Sequence, residues 1–259
     1  MKTTFTNPKL IAMMLFLFAT PLCGMAAVYP LYLCGGGTAN LKPDAAIEAT
    51  LKVGDKVVWQ EFTAAGVAVG TATTLPVATV GTAPTFSVGT AATLGEHTWK
   101  VFVTAISPTE CSGDLSDDFK FYVLPDKTLA LSTPTAASYC ESTATPSSAI
   151  TATPTAAAAL PQDVTYVYAW TATKDNGTVA DAAAGATAIG TATTTATTGT
   201  LTVNTTSVGS YVIAASVKYA VPTGSTLKSG DSADCTTAGT TTPTIVVSPR
   251  PGKPSVTFS

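Results

Sequence analysis

The residues of this chain that are able to do chemistry are one histidine, a few cysteines and one group of acidic side chains. His97 is the single histidine of 259 residues, so a histidine metal site or a histidine-activated nucleophile lacks its second component. His97 shares strand parity with Trp99 and Val101, which favours a structural position near a strand end. No nucleophile elbow or phosphate-binding loop is present. The sequence therefore predicts no enzyme, no catalytic residue and no cofactor.

The cysteines indicate disulfides. Five are present, and an even number remains if Cys23 leaves with an N-terminal leader. These four lie near the beginning and end of each half of the chain, at Cys34, Cys111, Cys140 and Cys235. We expect Cys34 to pair with Cys111 and Cys140 with Cys235, giving one disulfide within each half. Closely spaced pairs typical of zinc sites are absent from the sequence.

The densest acidic group lies in residues 107–118 and contains Glu110, Asp114, Asp117 and Asp118. Oxygen ligands this close together suit calcium. Their spacing does not reproduce an EF-hand loop, and acidic residues also solvate ordinary turns. No metal ligand is predicted, and calcium stays an alternative for this loop.

The N-terminus has the features of a secretory signal peptide. These are Lys2, Lys9, the apolar residues 10–22, and the small residues Gly24, Ala26 and Ala27. The apolar run is shorter than the about 20 residues that span a bilayer. We expect cleavage after Ala26 or Ala27, a secreted, extracellular or cell-surface protein, and no membrane span in the mature chain. A retained anchor and lipidation at Cys23 are the alternatives.

Composition favours an all-β protein. Charged residues are 11% of the chain with a net charge of -3, which excludes the basic face that nucleic-acid binding requires. Hydrophobic residues reach 46%, enough for real cores. The abundance of Thr and Val fits half-buried strands.

A cysteine, a tryptophan strand, a long strand and a second cysteine occur in that order twice, which predicts a duplication. Trp59 and Trp170 take equivalent places. Core packing is favoured over a sugar-stacking platform of Trp59, Trp99 and Trp170 because all three lie in alternating strands. Predicted strands cover residues 28–34, 38–41, 48–53, 56–62, 85–88, 97–105, 119–123, 129–139, 149–153, 165–173, 200–203, 210–219 and 244–247.

Several stretches carry a family resemblance. YLCGGGTANL (residues 32–41), VW (58–59), VTA (103–105) and ECSG (110–113) resemble the Ig-like or PKD-like repeats of Bacteroidota surface proteins. The resemblance implies β-sandwiches, adhesion or assembly, and no enzymatic activity. The segment before Cys235 departs from the pattern because it is longer than the repeats usually allow.

These observations predict two tandem immunoglobulin-like β-sandwich domains, each with one intradomain disulfide, after a cleaved signal peptide. The predicted boundaries are 1–27 for the signal peptide, 28–125 and 126–248 for the domains, and 249–259 for a C-terminal linker with a possible donor strand.

The last residues form a strand-like pattern without a sandwich of their own. Val256 and Phe258 alternate with polar residues, a pattern that can pair along an exposed sheet edge. The polymerisation residues so predicted are Pro254, Ser255, Val256, Thr257, Phe258 and Ser259. A frayed tail and a strand folded back on its own domain are the alternatives.

The sequence thus predicts an extracellular structural subunit that binds copies of itself and forms a filament or surface layer. A monomeric adhesin or carbohydrate-binding module for host or environmental glycans is the alternative, and an accessory domain of a secreted enzyme is a weaker one. Ser232, in Asp231-Ser232-Ala233, resembles a short O-glycosylation motif of Bacteroidota and is a possible modification site. Asn176 and Asn204 begin Asn-x-Thr sequons.

Overall fold

The computed structural model describes residues 29–89, 93–107, 112–175, 188–230 and 234–257. Strands dominate these ranges, and their helical content is one short helix, α1 (Ala45–Glu48). None of the described residues belongs to a helix that is both long and apolar enough to cross a bilayer. The all-β class predicted from composition is confirmed.

The first half of the chain forms a sandwich of two sheets. Its strands are β1 (Leu31–Cys34), β2 (Thr38–Leu41), β3 (Lys56–Phe62), β4 (Ala68–Pro76), β5 (Phe86–Gly89), β6 (Gly95–Thr104) and β7 (Phe119–Val123). In one sheet β1, β7, β6, β3 and β4 lie in that order, and in the other β2 pairs with β5. Side chains of both sheets, among them Leu33, Leu41, Trp59 and Phe121, share one buried core.

The second half forms a fuller sandwich. Its strands are β8 (Lys127–Leu131), β9 (Ser138–Cys140), β10 (Ser148–Ala156), β11 (Thr165–Lys174), β12 (Gly190–Thr194), β13 (Gly199–Val203), β14 (Gly209–Ala220), β15 (Thr226–Ser229), β16 (Thr237–Ala238) and β17 (Thr244–Ser248). One sheet of this sandwich has the order β12-β13-β10-β8 and the other β11-β14-β17-β9 with β16 paired to β14, while β15 belongs to neither sheet. Ile150, Leu201, Ile213 and Ile245 are fully buried between them.

The strand order is that of an immunoglobulin-like fold. In such sandwiches strands A, B, E and D form one sheet and C, F and G the other. The second sandwich reproduces this order with β8, β10, β13 and β12 facing β11, β14 and β17. The first sandwich keeps the C, F and G places in β3, β6 and β7 but has only β2 and β5, in the B and E places, in its second sheet.

Local sequence explains several element ends. The hairpin between β3 and β4 turns through Gly66, whose φ of 76° lies in the left-handed region that glycine tolerates. Asp44 caps α1 because its Oδ1 accepts a hydrogen bond from Ile47 N at 2.9 Å. The strand predicted at residues 48–53 is therefore wrong, since α1 and its capping turn occupy that connection. Strands β4, β12, β15 and β16 were missed because none of them shows large apolar residues at every second position.

The connection from β14 to β17 leaves the second sandwich and reaches the first. Its strand β15 adds in parallel to β1, from Leu31 opposite Thr226 to Cys34 opposite Ser229. Thr226 N also donates to Pro30 O at 2.9 Å. The larger sheet of the first sandwich is thus six-stranded, and its β1 edge is covered by a strand from the second half.

Candidate functional site

The disulfide joins the two halves of the chain. Cys34 bonds to Cys235, with their Cα atoms 6.1 Å apart and a sequence separation of 201 residues. The predicted pairs of Cys34 with Cys111 and of Cys140 with Cys235 are therefore wrong. The physical reason is the long β14–β17 connection, which carries Cys235 away from its own sandwich and places it beside β1. Cys111 itself lies outside the described residues.

Cys140 has a free thiol. It ends β9 and is half-buried, with its Sγ 3.1 Å from Ser142 Oγ. This hydrogen bond lowers the pKa of the Cys140 thiol. Nothing among the described residues pairs it with a second sulfur.

A cluster of tyrosines surrounds the disulfide between the sandwiches. Tyr29, Tyr32 and Tyr219 are buried there with Leu124 and Val164. The Tyr29 hydroxyl donates a hydrogen bond to Glu96 Oε2 at 2.7 Å. The Tyr32 hydroxyl donates to Asp163 Oδ2 at 2.7 Å, and the Tyr219 hydroxyl donates to Pro125 O at 2.6 Å. The partners satisfy polar groups that burial would otherwise penalise.

Burial changes the acidity of this cluster. Desolvation and the hydrogen bond to Asp163 raise the pKa of Tyr32 to about 12. Desolvation also raises the pKa of Tyr219 and, with the hydrogen bond to Glu96, that of Tyr29. The three hydroxyls stay protonated near neutral pH and act as donors.

Lys127 lies at the base of the cluster. It is 8% exposed, its Nζ donates to the carbonyl oxygen of Cys235, and it sits 3.9 Å from the ring centroid of Tyr219. A buried ammonium requires such partners. Lys127 thus helps to hold the connection that carries Cys235.

His97 is a structural residue. It is 6% exposed and stacks on Phe121. Its Nδ1 lies 2.6 Å from Glu61 Oε1 and its Nε2 2.7 Å from Thr93 O. Both ring nitrogens are occupied by neighbours of the same sandwich, as the strand position predicted for His97 implies.

The tryptophans lie mainly in the cores. Trp59 is 3% exposed and Trp170 is 9% exposed, and half-buried Trp99 packs against the first core. Trp59 stacks on Phe86 at 5.2 Å between ring centroids. The core packing predicted for Trp59 and Trp170 is confirmed, and these two do not form an exposed sugar-stacking platform.

Several predicted positions fall outside the described residues. They are the signal peptide, Glu110, Cys111, Asn176, Ser232, Phe258 and Ser259. Asp114, Asp117 and Asp118 are described, and no metal-binding group of three or more His, Cys, Asp or Glu side chains occurs within the described ranges.

The residues predicted for polymerisation are exposed as far as they are described. Residues 249–257 follow β17 and are exposed without exception, with Val256 at 91%. The backbone N of Arg250 donates to Glu141 Oε1 at 2.8 Å, but no described strand pairs with residues 249–257. The described part of this segment therefore adds no strand to its own sandwich.

An open cleft of about 1030 Å³ lies in the first sandwich, a feature that sequence patterns did not reveal. It is bounded by the β2–β3 connection with α1 and by the residues that precede β7. Its apolar lining includes Leu41, Trp59, Val101, Val103 and Phe119. The cleft exists because the two-stranded sheet β2–β5 covers only part of the larger sheet.

The cleft is acidic at its rim. Aspartates outnumber lysines in the lining, with Asp44, Asp55, Asp114, Asp117 and Asp118 against Lys42 and Lys52. Asp55 is buried and accepts from the backbone N of Lys52 and of Ile106, which lowers its pKa. Asp118 pairs with Lys100 at 3.0 Å. Asp114 and Asp117 are exposed and form no ion pair with any described residue.

Comparison with known proteins gives similarity of structure only. No family model matches the chain, and no curated protein does. Fibronectin(III)-like modules of Clostridium thermocellum CbhA match at 14% identity and a TM-score of 0.36, over 87% of this chain and 93% of theirs. The FN1–FN3 domains of chicken CNTN1 match at 10% identity and a TM-score of 0.37, over 86% of this chain and 63% of theirs. A marsupial T cell receptor matches at 11% identity and a TM-score of 0.30, over 86% of this chain and 72% of its own. Values this low add nothing to the assignment of a function.

Proposed function

We propose that this chain is an extracellular structural subunit that assembles head to tail into a filament or surface layer. Residues 254–259 of one copy add as a strand to a sheet of the next copy. The observation that carries the proposal is the segment after β17, whose described part is exposed and outside every sheet. Val256 and Phe258 would lie on one face of an added strand and enter an apolar site.

Two further observations support the proposal. The pairing of β15 with β1 is an example, within one chain, of a short strand that completes a sheet of another sandwich. The disulfide between Cys34 and Cys235 suits an oxidising, extracellular compartment. A contact between two different surfaces of the same subunit need not close into a ring, and repetition of it gives a filament.

Deletion of residues 254–259 tests this function. We expect filaments of the intact protein, viewed by negative-stain electron microscopy, to disappear on deletion. The control is a variant in which the six residues are replaced by a Gly-Ser stretch of equal length, which keeps chain length but removes Val256 and Phe258. Circular dichroism checks that both sandwiches persist. Filaments that are unchanged by the deletion would contradict strand addition.

The alternative is a monomeric adhesin or carbohydrate-binding module, which the open cleft also suits. This function predicts a monomer that binds glycans through the cleft lining. Glycan-array binding that is lost on substitution of a residue in the cleft, together with a monomeric state, would favour it over assembly.

A further inference from the structure

We propose that the cleft of the first sandwich is the acceptor site for assembly, and that its occupant is segment 249–259 of a second copy. This inference rests on the proposed function and adds the identity of the receiving surface. Three properties of the cleft and the segment carry it.

The first property is apolar complementarity. Val101, Val103 and Phe119 are half-buried and give the cleft an apolar wall. Residues 254–259 span about 20 Å when extended, with Val256 and Phe258 on the same side. Removal of these two side chains from water onto this wall would favour binding.

The second property is an open strand edge. Within the described residues β2 pairs only with β5, so its other edge has no sheet partner. In the second sandwich the corresponding strand, β10, is paired on both sides, by β13 and by β8. The place that β8 fills in the second sandwich is the place that an added strand would fill beside β2, next to Leu41 at the cleft.

The third property is charge. Asp114 and Asp117 stand exposed at the rim of the cleft. Segment 249–259 contains Arg250 and Lys253 and no acidic residue. Opposite charges at two surfaces favour encounter and fix orientation, whereas like charges oppose association.

A charge exchange in the full chain tests the inference. We expect Asp114→Lys with Asp117→Lys to raise the protein concentration needed for assembly by about tenfold or more. Addition of Arg250→Glu and Lys253→Glu should restore it to within about threefold of the original value. Lys218→Glu, which reverses an exposed charge on β14 outside the cleft, is the control for a charge reversal as such. If the charge reversals leave the protein concentration needed for assembly unchanged, the cleft is not the acceptor site.

Photo-crosslinking separates the failure of this inference from that of the proposed function. The probe is a peptide of residues 249–259 in which benzoylphenylalanine replaces Phe258. The target is the full chain with the substitution Phe258→Lys, so that the target's own C-terminal segment does not compete with the peptide. Crosslinks to residues 41–47 or 113–119 support the cleft even if no filament forms, and a scrambled peptide should give none. If the crosslinks lie at another sheet edge and filaments still require residues 254–259, the cleft is not the acceptor site. Strand addition as the mode of assembly would then still hold. Absence of both crosslinks and filaments overturns both proposals.

Discussion

At the scale of single residues, Cys34 and Cys235 decide how the two halves are connected. Their bond joins residues that are 201 positions apart in the sequence, and it lies within a buried cluster of tyrosines. A crosslink of this kind restricts the unfolded chain and stabilises the native contact between the sandwiches.

Cys34→Ser is expected to lower the free energy of unfolding by about 2–5 kcal/mol, because the unfolded chain regains the freedom that the bond removes. Urea denaturation measures the change. Cys140→Ser is the matched control and should cost less than about 1 kcal/mol, since Cys140 forms no disulfide among the described residues. Non-reducing peptide mapping should join the Cys34 and Cys235 peptides, and a Cys34–Cys111 link would contradict the account.

Tyr32 is expected to make the protein sensitive to alkali. In the fold its hydroxyl keeps its proton up to a pKa of about 12, whereas the ordinary value is 10.0. The stability that the neutral hydroxyl contributes is therefore complete below about pH 10 and is lost as the pH rises towards 12. Tyr32 is expected to contribute about 1.4 kcal/mol per pH unit to the slope, beside the contributions of the other buried tyrosines whose pKa is raised.

Urea denaturation at a series of pH values between 9 and about 12 measures this slope. Tyr32→Phe should make it shallower, because phenylalanine does not ionise. An equal slope in the two proteins would show that Tyr32 does not titrate as proposed.

At the scale of elements, β15 is the strand that ties the second half to the first. It lies so close to the β1–β2 turn that a Cβ on Gly37 would run into the backbone carbonyl of Lys228. The turn therefore has no room for a larger residue. The pairing of β15 with β1 depends on glycine at this point.

Gly37→Ala should destabilise the protein by about 1–3 kcal/mol, as overpacking does in well-packed sites. Thermal or urea denaturation measures the loss. Gly252→Ala is the control, since a Cβ there meets nothing within 4 Å. Equal stability of both variants with the parent would mean that β15 does not approach β1 this closely.

Sequence patterns predicted the elements whose side chains alternate strongly. Strand β3, with Val57 and Trp59, and strand β14 were predicted almost to the residue, because their apolar side chains recur with the period of two that a half-buried strand requires. The Thr-rich β12 and the short β15 lack that signal, and their pairing is decided by contacts distant in sequence. The spacing of the cysteines likewise did not show which cysteine pairs with Cys34. The pairing depends on the path of the β14–β17 connection, which crosses to the first sandwich only in the folded structure.

Of the candidate site, only the proposed donor segment, residues 254–259, could be predicted from the sequence. The alternation of Val256 and Phe258 is visible in sequence, but the cleft depends on which sheet positions stay unfilled. The absence of a described strand beside β2 appears only when the two sandwiches are compared strand by strand.

At the scale of the whole molecule, two immunoglobulin-like sandwiches are joined by a disulfide, a shared tyrosine cluster and the pairing of β15 with β1. The segment after β17 is exposed and carries basic and apolar residues, and the first sandwich has an acidic cleft with an apolar lining. If the segment and the cleft pair as proposed, they are two different surfaces, so each added copy would expose a new donor or acceptor.

The measurement that tests this account most directly is the mass of the mature protein in solution under native conditions, determined by light scattering over a range of concentrations. The account predicts polymers whose mass grows with protein concentration, and a monomer at every concentration for the chain without residues 254–259. An intact protein that stays monomeric throughout, or polymers that persist after the deletion, would contradict assembly through this segment.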